Sequence, residues 1–437
     1  MLNLIGQNEK SLKDINKALN LAVSIGDKKS KADCLLQMSD IYQSISRYEP
    51  MLNCAKESMA LYEDLKDRKG KAQSLVKVGD MHDSLGDYKT ALEHFIKSLE
   101  ITRAINDRHG ESVSLNRIGL MYDRLGDYPK AFEYYSKALN IREEINDLKG
   151  KAESYNNIGS VHNRLGDHVK TLEYFSKAMK MMEEIGDRTG LAYALNNIGF
   201  VLNRIGDGIS ALDYFRRSLT IQQEIGGREH EAISLNNIGL VHYNLGDYPD
   251  SFEYYRKALE IQHEIGNRRG QAYGYYNIGR VCFGQNKYSE AKQQLSMAEV
   301  IARVMGEKEL LRRIMVSSGD LELALENPGK AKDYAQAALE LAEDLNSKTG
   351  RGEASLLRAR IDVAEGSWDK AEAGFKSSIA VFKEVSQLLE IAKAYYYYAT
   401  ALKMKHRERA HDFFEKAKEI FAKLKAKAWL SELDKIR

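Results

Sequence analysis

The chain has 437 residues, with 65 Lys and Arg set against 63 Asp and Glu and only 4 Pro. A net charge of +2 provides no global field for nucleic acid or an anionic membrane. Three cysteines, Cys34, Cys54 and Cys282, with no CxxC pair, exclude a disulfide framework and argue against a thiolate metal centre. The near absence of the helix breaker, beside 43% apolar residues, predicts an all-α chain with enough apolar surface for a core. No apolar run approaches the roughly 18 residues of a membrane span. The opening MLNLIGQNEK lacks the basic and apolar regions of a signal peptide. A reducing, cytoplasmic location is expected.

One glycine recurs every 40 residues, at Gly79, Gly119, Gly159, Gly199, Gly239, Gly279 and Gly319. Small residues extend the register to Ser39, Ala359 and Ala399. In this register residues 1–31 are a partial unit, with Gly6 equivalent to Gly166 and Met1 to Val161. The chain then begins halfway through a helix. This is the expectation for a piece of a longer protein, because Leu2, Leu4 and Ile5 otherwise lack cover; an irregular cap is the alternative.

Residues 32–306 carry the regular repeats. Seven residues after the ruler, Gly86, Gly126, Gly166, Gly206 and Gly246 each open a Gly-Asp turn. Five further on stands a small residue (Ala91, Ala131, Thr171, Ala211, Ser251), and four beyond that an aromatic (Phe95, Tyr135, Phe175, Phe215, Tyr255). Leu195, Ile198, Gly199 and Leu202 recur at i, i+3, i+4 and i+7, one face of a helix. Gly206-Asp207 ends it, and a second helix over about 209–225 presents Ala211, Leu212, Phe215 and Leu219. The unit is a helical hairpin in which the ruler glycine marks a close helix crossing. One hairpin cannot bury its own apolar face, so neighbours must stack. Residues 307–425 lose the Gly-Asp turn and become Ala-rich, as in 330–345, and read as the same array continuing. Residues 426–437, with Trp429, Leu430 and Leu433, read as a capping helix.

The run Leu235-x-x-Ile238-Gly239-x-x-His242, followed by Gly246, Ser251 and Tyr255, resembles the tetratricopeptide repeat. The resemblance implies a right-handed superhelical solenoid of about ten stacked hairpins, with the partial unit and the cap at its ends. The family's first-helix Trp is Tyr155, Leu195 or Leu235 here, and its closing Pro is replaced by Glu143 and Glu183. Without Pro the second helix runs on, which accounts for a period longer than the family's ~34 residues. The long repeat is similar to those of kinesin light chains, of Leu-Gly-Asn-type polarity adaptors and of bacterial signalling proteins.

First helices line the concave face of such arrays. Asn116, Asn156, Asn196 and Asn236 stand three residues before the ruler, and Asn157, Asn197, Asn237 and Asn277 two before it. Asparagine is a mediocre helix former, so two fixed rows need a reason. Their amides can pair with an extended peptide backbone, or bond between repeats. The resemblance favours the first reading, since Asn157, Asn197, Asn237 and Asn277 match its ligand-contacting positions. Arg124, Arg164 and Arg204, five after the ruler, suit carboxylates of a partner or the negative end of the helix dipole. Asp83 and Asp123 partly cancel that row. Phe200, Tyr243 and Phe283, with Tyr193, Tyr273 and Tyr276, fall on the same face as anchor candidates. The repeats over about 153–284 therefore form the expected peptide site.

Catalytic signals are weak. His82, His162 and His242 recur 80 residues apart, too far for one ion when helices pack about 8–10 Å apart. There is no HExxH, phosphate-binding loop or nucleophile elbow. The expectation is a non-enzymatic scaffold, without cofactor or metal, that binds an extended segment of a protein partner. A regulatory arm of a larger bacterial kinase, cyclase or NTPase is the alternative.

Overall fold

The computed structural model describes residues 2–44, 47–405 and 409–436, with side chains for 10–43, 47–405 and 409–435. The expectations that rest on Met1, Leu2, Leu4, Ile5 and Gly6 lie outside the described side chains. Among the described residues every regular element is an α-helix, and two compact units are present, Met1–Val201 and Leu202–Arg437. The first holds α1 (Leu2–Ser24), α2 (Lys28–Ser44), α3 (Tyr48–Asp64), α4 (Arg68–Ser84), α5 (Tyr88–Ala104), α6 (Arg108–Arg124), α7 (Tyr128–Glu144), α8 (Leu148–Arg164) and α9 (His168–Glu184). The boundary falls in α10 (Arg188–Arg204). The second unit continues with α11 (Gly208–Glu224), α12 (Arg228–Leu245), α13 (Tyr248–Glu264), α14 (Arg268–Gly284), α15 (Tyr288–Met305), α16 (Lys308–Ala324), α17 (Pro328–Asp344), α18 (Lys348–Ala364), α19 (Trp368–Glu384), α20 (Leu388–Met404), α21 (Ala410–Lys423) and α22 (Lys427–Ile436). Within each unit consecutive helices pack as antiparallel hairpins, and the hairpins stack.

The period is built from two helices of 17 residues and two three-residue links. The link Leu85-Gly86-Asp87 shows why it repeats so faithfully. Gly86 takes φ +79°, its N–H donates to the Asp83 carbonyl at 2.9 Å, and the Asp87 N–H donates to the His82 carbonyl at 2.9 Å. That closes one helix with the left-handed glycine motif. The Asp87 carboxylate then accepts the Thr90 N–H and opens the next helix. At alternate links Asn106 and Asn146 take the positive φ, and Asp107 and Asp147 cap Gly110 and Gly150.

Packing within a hairpin follows the ruler. A Cβ on Gly79 would stand 2.5 Å from the Phe95 ring, and one on Gly119 2.8 Å from Tyr135. Those rings, with Phe175, Phe215 and Tyr255, are fully buried, as are the small residues Ala91, Ala131, Thr171, Ala211 and Ser251. Packing between hairpins uses a second set of small residues that the sequence reading did not single out. Gly70 lies against Tyr62, Gly150 against Arg142 and Gly190 against Met182. Buried serines pair beside them, Ser98 with Ser114 at 3.0 Å and Ser218 with Ser234 at 3.3 Å.

In the second unit the stack curves until α22 packs against α12. Two turn glycines receive the returning chain. A Cβ on Gly246 would meet the Ala428 Cβ at 2.7 Å, and one on Gly206 the Leu424 Cα at 3.0 Å. The equivalent Gly86, Gly126 and Gly166 face open space. Trp429 anchors α22 by stacking on Phe421 at 5.4 Å and meeting Tyr396 edge-on at 5.5 Å.

Candidate functional site

In the first unit the predicted amide rows lie on adjacent first helices and bond to one another. Asn157 Nδ2 donates to Asn116 Oδ1 at 2.9 Å, and Asn197 Nδ2 to Asn156 Oδ1 at 2.8 Å. In the earlier repeats ion pairs occupy the same kind of place. Arg117 Nε is 3.0 Å from Asp80, and Lys77 Nζ is 2.5 Å from Asp40. The predicted arginine row is engaged likewise, Arg164 Nε lying 2.9 Å from Asp123 and Arg124 Nε 3.8 Å from Asp83. Burial pushes the Asp80, Asp83 and Asp123 carboxyls above the usual carboxylate range, and the neighbouring cations oppose that shift. Arg204, Asn196 and Asn237 also have partners.

These bonds stitch each hairpin to the next. Each stitched pair keeps polar atoms to spare, because one amide–amide bond uses one donor and one acceptor of the several available. Asn116 and Asn196 are nonetheless buried, and the others in the first unit are half-buried. Tyr193 and Phe200, both on α10, are 42% and 43% exposed.

The second unit carries a different set of groups on its first helices. Asn236 and Asn277 are half-buried, and the Asn236 Oδ1 atom is enclosed with no hydrogen-bond partner among the described residues. Asn244 Nδ2 reaches Asn203 Oδ1 at 3.4 Å, which continues the stitch pattern. Tyr243 on α12 packs its ring 5.7 Å from that of Tyr248, and Phe283 on α14 lies 5.9 Å from Tyr288. Arg280, one residue after the ruler, sits over Tyr243 at 4.3 Å and near Tyr276 at 5.5 Å. Arg360 on α18 lies 3.9 Å over Tyr397 and pairs with Asp320 of α16. Lys393 on α20 bonds Glu390 at 2.7 Å and is within electrostatic range of both Tyr243 and Arg280. Side chains of α12, α14 and α20, far apart in sequence, thus come within electrostatic range of one another. Of the tyrosine run, Tyr395, Tyr396 and Tyr398 are buried and Tyr397 carries the contact with Arg360.

Sequence reasoning missed Arg280, Arg360 and Lys393. Arg280 and Arg360 both stand one residue after the ruler, but Asp320 and Thr400 fill that place in the neighbouring repeats, and Lys393 shares its place with Arg313 between Tyr273 and Glu353, so neither position reads as a row of one chemistry. Their shared surroundings come from the curvature that returns α22 to α12.

The repeating histidines stack on rings one helix away: His82 on His94 at 5.6 Å, His162 on Tyr174 at 5.5 Å and His242 on Tyr254 at 5.4 Å. Among the described residues no group of His, Cys, Asp and Glu side chains could hold a metal ion. No described helix is long and apolar enough to cross a membrane.

Known proteins of the same architecture agree with this geometry. A Rap protein complexed with competence and sporulation factor superposes with a TM-score of 0.60 at 15% identity, over 83% of this chain and 98% of that one. The apo form of the quorum sensor NprR from B. thuringiensis gives 0.58 at 14%, over 83% and 99%. Aspartyl phosphate phosphatase F from Bacillus subtilis gives 0.56 at 14%, over 79% and 92%. At such identities the likeness shows the fold. No curated protein sequence matches the chain. The tetratricopeptide repeat profile matches residues 70–144, 150–224, 190–262 and 230–303, together more than half of the chain. With the hairpin geometry and the ruler glycines, this places the chain in the tetratricopeptide repeat family, whose arrays act as protein-interaction scaffolds.

Proposed function

We propose that the chain is a non-enzymatic, cytoplasmic scaffold that captures an extended peptide segment of a protein partner on the inner face of its first helices. The observation that carries this reading is the cluster of rings and a cation on α12 and α14 of the second unit. Tyr243, Arg280 and Phe283 there present aromatic surface and charge, and the Asn236 oxygen, on the same helix as Tyr243, is enclosed with no hydrogen-bond partner among the described residues. Aromatic anchors with a few convergent polar groups are what a peptide site needs. The asparagine rows contribute in two ways: bonds between repeats hold the helices in register, and the spare amide atoms meet the peptide main chain at about 0.5–1.5 kcal/mol per bond. Two proteins of the same fold are named for a bound factor or for sensing, which fits a receptor-like role. Three free cysteines fit a reducing compartment.

Selection of random displayed peptides on the immobilised chain tests this. The wild type is expected to enrich a recognisable peptide set. A Tyr243→Ala/Phe283→Ala variant that keeps its helical circular-dichroism spectrum is expected to bind those peptides at least about tenfold more weakly, since truncating two anchors removes 1 kcal/mol or more each. Unchanged affinity in that variant contradicts the site.

A further inference from the structure

We infer that Arg280 anchors an acidic side chain of the bound segment, on the first helices of the second unit. The inference rests on the peptide-binding role proposed above and names what that site selects.

Arg280, Arg313, Arg360 and Lys393 stand on the first helices α14, α16, α18 and α20, in that order. Three of them have carboxylates. Arg313 Nε donates to Glu309 at 2.9 Å, Arg360 pairs with Asp320, and Lys393 bonds Glu390 at 2.7 Å. Among the described residues Arg280 has no such partner. It is held by the faces of Tyr243 and Tyr276, which orient a guanidinium without neutralising it. Arg280 is half-buried, and a partly desolvated cation left without a counter-charge is costly. A ligand carboxylate removes that cost and fits the guanidinium fork with two parallel bonds.

The neighbourhood fixes the charge of the ligand. Lys393 adds positive potential but is already engaged by Glu390. Glu432 of α22 lies within electrostatic range of Tyr248, which also feels Arg280. Glu432 is in turn bonded by Lys435 at 2.6 Å, so Arg280 is the one surplus cation, which suits a single negative charge, as on Asp or Glu, and disfavours a doubly charged phosphate. The Gly246–Ala428 contact seats α22, which carries Glu432, beside α12.

The test uses the full-length chain and the peptides enriched by the wild type. One position of those peptides is expected to be Asp or Glu, and its replacement by Asn or Gln should weaken binding about tenfold or more. Arg280→Gln should abolish that discrimination, binding acid and amide peptides alike. Arg280→Lys should retain the preference in weakened form. Inorganic phosphate at millimolar concentration should not displace the peptide. Peptide binding with no preference for an acid, or a preference that survives in Arg280→Gln, overturns the anchor while leaving the scaffold reading intact. Stronger binding of a phosphoserine peptide, or displacement by phosphate, overturns the single-charge assignment. If no peptide is enriched at all, the scaffold reading fails and this inference falls with it.

Discussion

Arg312→Met is expected to destabilise the second unit by about 3 kcal/mol, read as a lower midpoint in urea unfolding. Arg312 is only 2% exposed, in the middle of the stack. Its guanidinium bonds Glu309 at 2.8 and 3.0 Å from α16 itself and reaches Glu353 on α18, so it ties two hairpins together. Burial works against its charge, but the bonds to the two glutamates outweigh that and raise its pKa. Gly350 makes room for the stem, since a Cβ there would stand 2.7 Å from Arg312 Cδ. Methionine fills similar volume but leaves Glu353 without its partner. Burial already holds the Glu353 carboxyl above the usual range, with Arg312 the main opposing influence.

The pH dependence follows from that direction. A carboxyl whose folded pKa is raised makes the folded state take up protons as pH falls, so stability is recovered in acid. The penalty of Arg312→Met should therefore be smaller at about pH 5 than at about pH 8, and Glu353→Gln added to it should recover a large part of the loss. A loss below about 1 kcal/mol, or one independent of pH, contradicts the buried-pair account.

Gly79→Val should cost about 2–3 kcal/mol, even though leaving glycine in a helix normally gains up to ~1 kcal/mol. Three atoms of the Phe95 ring would lie 2.5–2.9 Å from the new Cβ, and Phe95 is fully buried, so the hairpin must open or the ring must leave its well. Gly329→Ala is the matched control. It also lies in a helix, but nothing stands within 4 Å of its Cβ, so it should be neutral or slightly stabilising. Phe95→Leu added to Gly79→Val should restore part of the loss by returning space. Thermal and urea unfolding of the three variants beside the wild type checks this. Equal effects at positions 79 and 329 would mean that the ruler glycine is not a packing device.

The helical hairpins were legible because their chemistry is local and recurs. Gly86-Asp87 closes one helix and opens the next within a single link, and the Gly79–Phe95 contact spans only 16 residues. The Gly70, Gly150 and Gly190 series was equally periodic but escaped notice, because its partners Tyr62, Arg142 and Met182 differ in kind from repeat to repeat. The asparagine rows were visible as rows. Their bonding was not: an amide at the end of a pattern could face a ligand or a neighbour, and only the 41-residue offset of Asn157 to Asn116 shows the neighbour. The return of Ala428 to Gly246 was illegible for a different reason. It depends on a small rotation at each interface, summed over five hairpins, and no single residue encodes it.

The most direct test of the account is site-specific photocrosslinking of an enriched peptide to the full-length chain. Benzoylphenylalanine replaces the half-buried Phe283 on α14 in one protein and the exposed Lys257 on α13 in another. Capture of the peptide from position 283 and not from 257 is the predicted result. Capture from 257 alone, or equally from both, would contradict a binding site on the inner face of the first helices.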